Sequence, residues 1–301
     1  IEWLPHSHSL LYQARAHLIP QPISERGVQK LKAQSFANSG YDCAPQTVLE
    51  FADVAGPVML LQKRLLEFEK PLIERPSSLA IRSASLLAIN GNRFRGVNLS
   101  DGEFAVQGGF DVSHSSGLYV GTWASNLDEQ TVGYGSTEVD LYGGWSGDLS
   151  DGVSADVGVI YYMYPDAPGV AGDTDYVEFY GSLSFSLASV SVTPGIAYAP
   201  DQSSLGSTDN LYLYTDVSVG IPDTPVTLNG HIGYTDGFLT FTNNSKAWDW
   251  SVSADFALND TFTVSAAYIG VEGDAANDLI QPDGDLVFTG DAFVATLSAS
   301  F

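Results

Sequence analysis

Ionisable residues recur at alternate positions of apolar segments, and they are the groups in this chain that could act on a charged solute. Read with a period of two, these segments place ionisable side chains on one face and apolar side chains on the other. The set expected to face inward is Arg93, Arg95, Asp111, Glu138, Asp140, Asp156, Glu178, Asp216, Asp249 and Asp255. Rings of carboxylates select cations in a pore, whereas closely spaced like charges need water, cations or arginines to compensate them. The pattern therefore predicts either a cation-favouring passage or a polar plug that fills a narrow lumen.

Two pairs within this set suggest a more specific arrangement. Arg93 and Arg95 would share one face of a first strand, and Glu138 and Asp140 one face of a fourth. Guanidinium groups pair with carboxylates through two parallel hydrogen bonds, which offsets the cost of interior charge. We expect these side chains to form a carboxylate-guanidinium cluster across the interior that the strands enclose. The cluster would either stabilise the wall formed by the strands or form a specific ligand site.

The elements that must position these residues are alternating segments of about ten residues, the length that a tilted strand needs to cross a bilayer. Twelve segments are predicted. They cover residues 83–97, 103–113, 117–126, 136–147, 153–164, 174–187, 190–199, 209–219, 226–236, 247–258, 261–270 and 290–301. The predicted fold is an all-β, antiparallel transmembrane barrel of about 12 strands with an atypical N-terminal extension.

The connections between the segments alternate in length, as they do in outer-membrane barrels. Short links after the second, fourth and later even segments alternate with longer ones, and only the first link, 98–102, is shorter than its place in the series requires. An even strand count leaves both ends of the barrel on the short-turn side. The last segment has an apolar face that ends at Phe301, which predicts a closing strand.

Aromatic residues cluster near the ends of the predicted strands. Aromatic girdles meet lipid headgroups in membrane barrels, although aromatic residues favour any strand. The residues expected at the membrane interface are Trp145, Tyr161, Trp248, Trp250 and Phe301.

Charge divides the chain into two regions. Residues 96–301 hold 28 of the 36 acids but only one basic residue, Lys246, of the 12 in the chain. Phosphate recognition needs clustered Lys and Arg, so nucleic acid is not an expected partner. We predict an extension over residues 1–82 and an outer-membrane β-barrel over residues 83–301. The extension could be a periplasmic helix, a lumen plug, or upstream sequence outside the mature protein, and the last interpretation is preferred because no export signal is visible in it.

Little in the sequence supports catalysis or a cofactor. His231 with Asp236 is the best candidate for a hydrolase at the outer rim, but the barrel region contains neither a GxSxG motif nor a nucleophilic cysteine. Asp-rich loops could bind calcium, yet ordinary turn chemistry explains them better. The loop acids are Asp166, Asp173, Asp175, Asp274, Asp278, Asp283 and Asp285. We expect no catalytic residues, no metal and no cofactor other than this calcium alternative.

Several motifs in one order resemble the Gcw_chp family of proteobacterial conserved hypothetical proteins. They are RFRGV at 93–97, QGGFD at 107–111, GLYVGTWASN at 117–126, EVD at 138–140 with YGG at 142–144, and YYMYP at 161–165 with YVE at 176–178. The resemblance covers about residues 84–301, and it departs from the family at Gly91-Asn92, where an Asp-Tyr pair is common. It implies an outer-membrane barrel-like fold without an established activity.

Together these patterns predict an integral barrel of the bacterial outer membrane. The leading hypothesis is a narrow porin-like channel for small cationic or neutral solutes. The alternatives are a non-conducting structural or surface-binding barrel with a side-chain-filled lumen and, more remotely, an outer-membrane hydrolase. The expected partners are the lipid bilayer, the outer-membrane assembly machinery and small solutes, whereas the oligomeric state stays open.

Overall fold

A closed antiparallel barrel of twelve strands forms the body of the protein. The computed structural model describes residues 79–240, 242–274 and 288–301. The barrel strands are β1 (Leu79–Ile89), β4 (Ala105–His114), β5 (Leu118–Asn126), β6 (Thr137–Ser150), β7 (Val153–Met163), β8 (Tyr176–Leu187), β9 (Val190–Gln202), β10 (Thr208–Gly220), β11 (Val226–Gly237), β12 (Lys246–Ala257), β13 (Phe262–Gly273) and β14 (Ala292–Ser300), with β2 (Arg93–Phe94) and β3 (Val97–Asn98) forming a separate small hairpin. The predicted fold class is confirmed, and the proposed extension, residues 1–82, lies outside the described residues except for residues 79–82, which belong to β1.

Each barrel strand pairs with its neighbours in the chain, and the first strand closes the sheet on the last. Ser85 of β1 lies opposite Ser300 of β14 on one side and opposite Gly109 of β4 on the other. Closure leaves no strand edge, which a sheet surrounded by lipid requires because every backbone group must find a partner within the protein. Among the described residues, no helix is long and apolar enough to span a membrane; the α-helix α1 (Glu129–Val132) is a single turn.

The alternation of side chains assigns an inner and an outer face to each strand. In β6, Glu138 and Asp140 are completely buried inside, while Leu141 between Asp140 and Tyr142 is half exposed outside. Exposed apolar side chains of this kind occur on every barrel strand from β4 to β14, among them Val120, Val157, Phe179, Leu213, Ile232, Val252 and Leu297. The exterior is therefore an apolar belt, because period-two sequences can present only one of their faces to the lumen.

Turns at one rim are short and those at the other are long. Links of two to five residues follow the even-numbered barrel strands, and the opposite rim carries links of eight or more residues apart from the five-residue link between β9 and β10. We call these the short-turn rim and the long-loop rim. The alternation predicted from the sequence is confirmed, and the apparent exception at the first link disappears.

That exception arose because the predicted first strand, 83–97, was wrong at both ends. The strand β1 ends at Ile89, which pairs directly with Ala105, so residues 90–104 form a long excursion from the wall. Within it, Phe94 pairs with Val97 across a two-residue turn in which Arg95 and Gly96 have φ values of 46° and 79°. Two positive φ values define a tight hairpin turn. Residues 90–104 are called the lumen hairpin below.

Candidate functional site

The lumen hairpin folds into the barrel instead of extending from it. Residues 91–100 are buried without exception, including the polar side chains of Asn92, Asn98 and Ser100. At the tip, Gly96 lies so close to the wall that a Cβ there would overlap Val271 and lie 3.2 Å from Cβ of Asp249. The hairpin therefore leaves the wall between β1 and β4, and its tip packs against β12 and β13, which lie three and two strands from β1 in the barrel.

Arg95 joins the hairpin tip to a third part of the wall. Its Nη2 donates to both carboxylate oxygens of Glu178 on β8, each at 2.8 Å, and both side chains are 1% exposed. The guanidinium carbon also lies 4.1 Å from the ring centroid of Tyr212 on β10. Charge-assisted hydrogen bonds and cation-π contacts both strengthen when water is excluded. Arg95 thus connects the hairpin to β8 and β10 in an environment that favours both contacts.

Arg93 has a different position from the one expected. Its Nη1 donates to the carbonyl oxygens of Gly96 at 3.0 Å and Gly290 at 2.6 Å, which ties the hairpin to the segment before β14. Arg93 and Arg95 do not share a face of the first strand, because both belong to the hairpin. The ion pair of Arg95 is with Glu178 instead of Glu138 or Asp140, whereas a cluster of Arg93 with these two acids stays a prediction.

All twelve strands contribute a buried inward-facing residue at the level of the hairpin. One such residue per strand, in barrel order from β1 through β4 to β14, is Leu87, Gln107, Trp123, Asp140, Tyr162, Tyr176, Ala197, Tyr212, Thr235, Asp249, Ile269 and Val294. Phe94, Val97 and Leu99 of the hairpin pack in a common core with aromatic residues of the wall. Because each of these residues is at most 7% exposed, the lumen is filled at the level of the hairpin.

The candidate acids divide between the filled half and the other half. Glu138, Asp140, Glu178 and Asp249 are buried at the level of the hairpin, whereas Asp111, Asp156 and Asp216 lie partly exposed toward the short-turn rim. Neither carboxylate oxygen of Asp140 accepts a hydrogen bond from the described part of the chain. The deeper acids therefore belong to a packed interior in this conformation and do not border open water.

His231 is the centre of the hydrogen-bond network next to Arg95. Its Nδ1 lies 2.5 Å from Oδ1 of Asp216 and its Nε2 lies 2.9 Å from Oδ2 of Asp249. The Tyr212 hydroxyl donates to the same Asp249 oxygen at 3.0 Å. An ionised carboxylate only accepts hydrogen bonds, so two ionised partners would require both ring nitrogens to donate. The network links β10, β11 and β12 next to the Tyr212 side chain, whose aromatic ring contacts Arg95.

This geometry contradicts the pairing that a hydrolase was expected to use. His231 points into the lumen, while Asp236 accepts a hydrogen bond from Nζ of Lys246 at 2.7 Å on the exposed long-loop rim. Both ring nitrogens of His231 face carboxylates, so neither is placed to take a proton from a nucleophile. The expected pair of His231 with Asp236 was therefore wrong.

Tyrosine, asparagine and serine side chains donate hydrogen bonds to the acids in the half of the lumen near the short-turn rim. The Tyr119 hydroxyl donates to Asp156 at 2.6 Å, and the Tyr142 hydroxyl donates to Asp111 at 2.8 Å. Asp255 accepts from Asn229 Nδ2 at 2.9 Å and from Ser265 Oγ at 2.6 Å. These hydrogen bonds hold the carboxylates against the wall and leave space along the barrel axis.

The aromatic residues expected at the interface all face outward near strand ends. Trp145 and Phe301 lie toward the short-turn rim, and Tyr161, Trp248 and Trp250 lie toward the long-loop rim. Sequence reasoning missed a repeated feature at the long-loop rim. The hydroxyls of three outward-facing tyrosines donate to aspartates near the start of the next strand. The pairs are Tyr161 with Asp175, Tyr198 with Asp209, and Tyr268 with Asp291. Their spacing across a loop was the signal that could have revealed them.

Three of the loop acids proposed for calcium, Asp166, Asp173 and Asp175, accept hydrogen bonds through their carboxylates. Asp166 accepts from Ser136 Oγ at 2.6 Å and from the backbone N–H groups of Ser136 and Thr137. Slight burial raises the pKa of Asp166, but these hydrogen bonds outweigh it and the pKa lies below its ordinary value. Asp278, Asp283 and Asp285 lie outside the described residues. Calcium binding stays a prediction, and no group of three possible ligands among residues that the structure describes has a geometry suited to a metal.

The pairing and the interior define the class of the protein: a closed twelve-strand barrel of the membrane type, with one half of its lumen filled by an inward hairpin. The chain belongs to the Gcw_chp family, described as bacterial proteins of unknown function, which matches residues 75–301. The match begins nine residues before the start of the resemblance noted above. No curated protein matches the chain.

Solved structures with similar folds include porins. A KdgM porin is 8% identical, with a TM-score of 0.47 over 73% of this chain and 98% of that chain. A NanC porin is 10% identical, with a TM-score of 0.48 over 74% and 99%. The outer membrane protein opdK from Pseudomonas aeruginosa is 11% identical, with a TM-score of 0.41 over 76% and 68%. The assignment of a barrel rests on the strand pairing, since scores below 0.5 add no weight to it.

Proposed function

We propose that the protein is an outer-membrane, porin-like barrel whose passage for small cationic or neutral solutes is held closed by the lumen hairpin. The observation that carries this proposal is the ring of buried residues, one from each of the twelve strands, around the hairpin. The apolar exterior and the outward-facing aromatic residues support a membrane location. In this orientation the short-turn rim faces the periplasm and the long-loop rim faces outward.

The hairpin has the connections of a removable closure. Ile89 pairs with Ala105, and the ladder from β1 to β4 continues below them without any contribution from residues 90–104. The two short strands of the hairpin pair only with each other. Displacement of the hairpin would therefore break side-chain contacts and a few loop hydrogen bonds but would leave every wall ladder intact.

Charge explains why an opened passage would favour cations. Withdrawal of the hairpin removes Arg93 and Arg95 from the lumen and leaves Glu138, Asp140 and Glu178 at the same level. Carboxylates that line a constriction attract cations and repel anions. In a hairpin-shortened barrel, Glu138→Gln combined with Asp140→Asn should accordingly reduce the preference for cations.

Solute entry into vesicles tests the proposal. Vesicles that contain the full chain should swell in glycerol little faster than empty vesicles, and vesicles with residues 91–103 replaced by two glycines should swell much faster. Equal and rapid swelling with both proteins would contradict closure by the hairpin. Slow swelling with both proteins would contradict a removable closure.

A permanently closed barrel is the second candidate, and the extent of the interior core favours it. Twenty buried residues of the hairpin, wall and loops form one hydrophobic cluster, which resembles the core of a soluble domain. Its long loops would then meet an external partner. The two candidate functions differ in their response to a loosened hairpin. Arg95→Ala should produce intermittent current in a closable channel, but only lower stability in a permanently filled barrel.

A further inference from the structure

The short-turn half of the lumen contains a cavity of about 480 Å³. Strands β10 to β14 and β1 form its wall, and the turn residues Asn259, Asp260 and Thr261 lie at its mouth. The deep end is apolar, since Leu87, Ile269 and Val294 lie beneath it and are buried against the filled half of the barrel. The cavity is therefore a cup that opens at the short-turn rim and ends blindly below the hairpin.

The wall of the cup is acidic and rich in hydroxyl groups. Asp216 and Asp255 face it from β10 and β12, and Asp260 adds a third carboxylate at the mouth. No Lys, Arg or His is among the described residues that line it. Asp216 is hydrogen-bonded to His231, and Asp255 accepts hydrogen bonds from Asn229 and Ser265. Because the described lining holds three carboxylates and no basic side chain, the cup favours a cationic ligand.

We propose that this cup is a binding site for a small organic ammonium compound with an apolar portion, entering from the short-turn rim. The ammonium group would lie near Asp255, and the apolar portion would cover Leu87, Ile269 and Val294. Ligand sites commonly have volumes of about 300–1,000 Å³ and combine apolar walls with a few oriented polar groups, which this cup does. The inference rests on the proposed barrel and its orientation but does not require that the barrel conducts.

Charge and apolar contact make separate demands on the ligand. A metal cation or a short polyhydroxy compound would leave the apolar floor uncovered, and an organic anion would be repelled by the acids. An ammonium compound with an aromatic ring satisfies both parts of the cup. Phenethylammonium is therefore the probe, with 3-phenylpropionate as the anion of similar shape and 2-phenylethanol as the neutral analogue.

Titration of the full chain in a zwitterionic detergent, followed by calorimetry and ligand-detected NMR, tests the proposal. Phenethylammonium should bind more tightly than 2-phenylethanol, and 3-phenylpropionate should bind least. Asp255→Asn should weaken phenethylammonium binding roughly tenfold, the value of one charge-assisted hydrogen bond. Asp156→Asn removes a lumen carboxylate that does not line the cup and should leave binding unchanged.

A second variant guards against a folding defect of Asp255→Asn, because the carboxylate accepts two hydrogen bonds. Thr296→Lys places a cation in the wall of the cup while leaving every carboxylate in position, and it should lower the affinity for phenethylammonium more than that for 2-phenylethanol. Equal binding of the ammonium and the carboxylate probes, or unchanged binding by both variants, would overturn the proposal. If only the hairpin-shortened barrel transports glycerol while no probe binds, the closure stands and the cup does not.

Discussion

Arg95 and Glu178 form an ion pair inside the barrel, with Nη2 of the arginine 2.8 Å from each carboxylate oxygen. The arginine belongs to the lumen hairpin and the glutamate to β8, so the pair joins an insertion to the wall across the lumen. A buried charge that loses its partner costs more than the pair contributes, because its hydration is not restored. The lumen hairpin should therefore need both residues to stay in place inside the barrel.

Removal of one member of this pair should loosen the hairpin. Arg95→Ala is expected to lower the free energy of unfolding by about 3–5 kcal/mol, since Glu178 is left buried and unpaired. The exposed pair of Lys246 with Asp236 provides a matched control, and Lys246→Ala should have a much smaller effect, because water and salt screen an exposed ion pair. Urea unfolding in lipid vesicles measures both values. Similar small losses for the two variants would show that the interior pair does not hold the hairpin.

Gly96 should tolerate a side chain much less well than Gly102. Both residues have positive φ values, 79° and 73°, so alanine at either position adds about 1–2 kcal/mol of backbone strain. A Cβ on Gly96 also overlaps Val271, whereas a Cβ on Gly102 meets no atom within 4 Å. We expect Gly96→Ala to cost roughly 1–3 kcal/mol more than Gly102→Ala, because of overpacking against Val271 of β13. Equal costs in urea unfolding would contradict the contact between the hairpin tip and β13.

Asp166 should make the contact between two long loops sensitive to acid. Its pKa is lowered in the folded protein, so its contribution is present above the unfolded value of about 3.9 and is lost as the pH falls through the lower folded value. The protection of the Ser136 and Thr137 amides from exchange, relative to their intrinsic rates at each pH, should fall over that acidic range. In Asp166→Asn the two amides should exchange faster at neutral pH and lose this pH dependence. Retention of the pH dependence in the variant would assign it to another group.

Loss of Phe301 should impair insertion into lipid more than it changes the properties of the folded barrel. It is 59% exposed on the barrel exterior, and its backbone exchanges hydrogen bonds with Ala84 of β1. Deletion of Phe301 removes this closing contact and an interfacial aromatic ring, so the folded fraction in lipid should fall, while Phe301→Trp should preserve it. Heat-modifiable migration on gels measures the folded fraction. Normal folding of the deletion variant would show that β14 closes the barrel without this residue.

The wall of the barrel was predictable from the sequence because its rules are local. Period-two alternation located eleven of the twelve strands to within a few residues, and residues such as Glu138 and Asp140 were assigned to the inner face from their apolar neighbours alone. The first strand failed because Arg93 and Arg95 continue an alternating pattern past Ile89. A two-residue turn with positive φ at Arg95 and Gly96 reverses the chain there, and an arginine in the sequence does not predict such a conformation.

Contacts across the lumen could not be predicted from strand alternation. Arg95 with Glu178, and His231 with Asp216 and Asp249, join residues on strands whose relative positions are set by barrel closure. Alternation identifies the face on which a residue lies, but it does not determine which inward residues meet. Sequence proximity consequently favoured Asp236 as the partner of His231, whereas register places Asp216 directly opposite it.

Current across a planar bilayer tests the closure by the lumen hairpin most directly. The full chain should insert without a steady current, and the same chain with residues 91–103 replaced by two glycines should pass a steady current whose reversal potential in a potassium chloride gradient indicates preference for potassium. Because Ile89 and Ala105 already pair, the replacement shortens a loop without altering the wall. A steady current of equal size through both proteins would contradict the proposal that the hairpin closes the barrel.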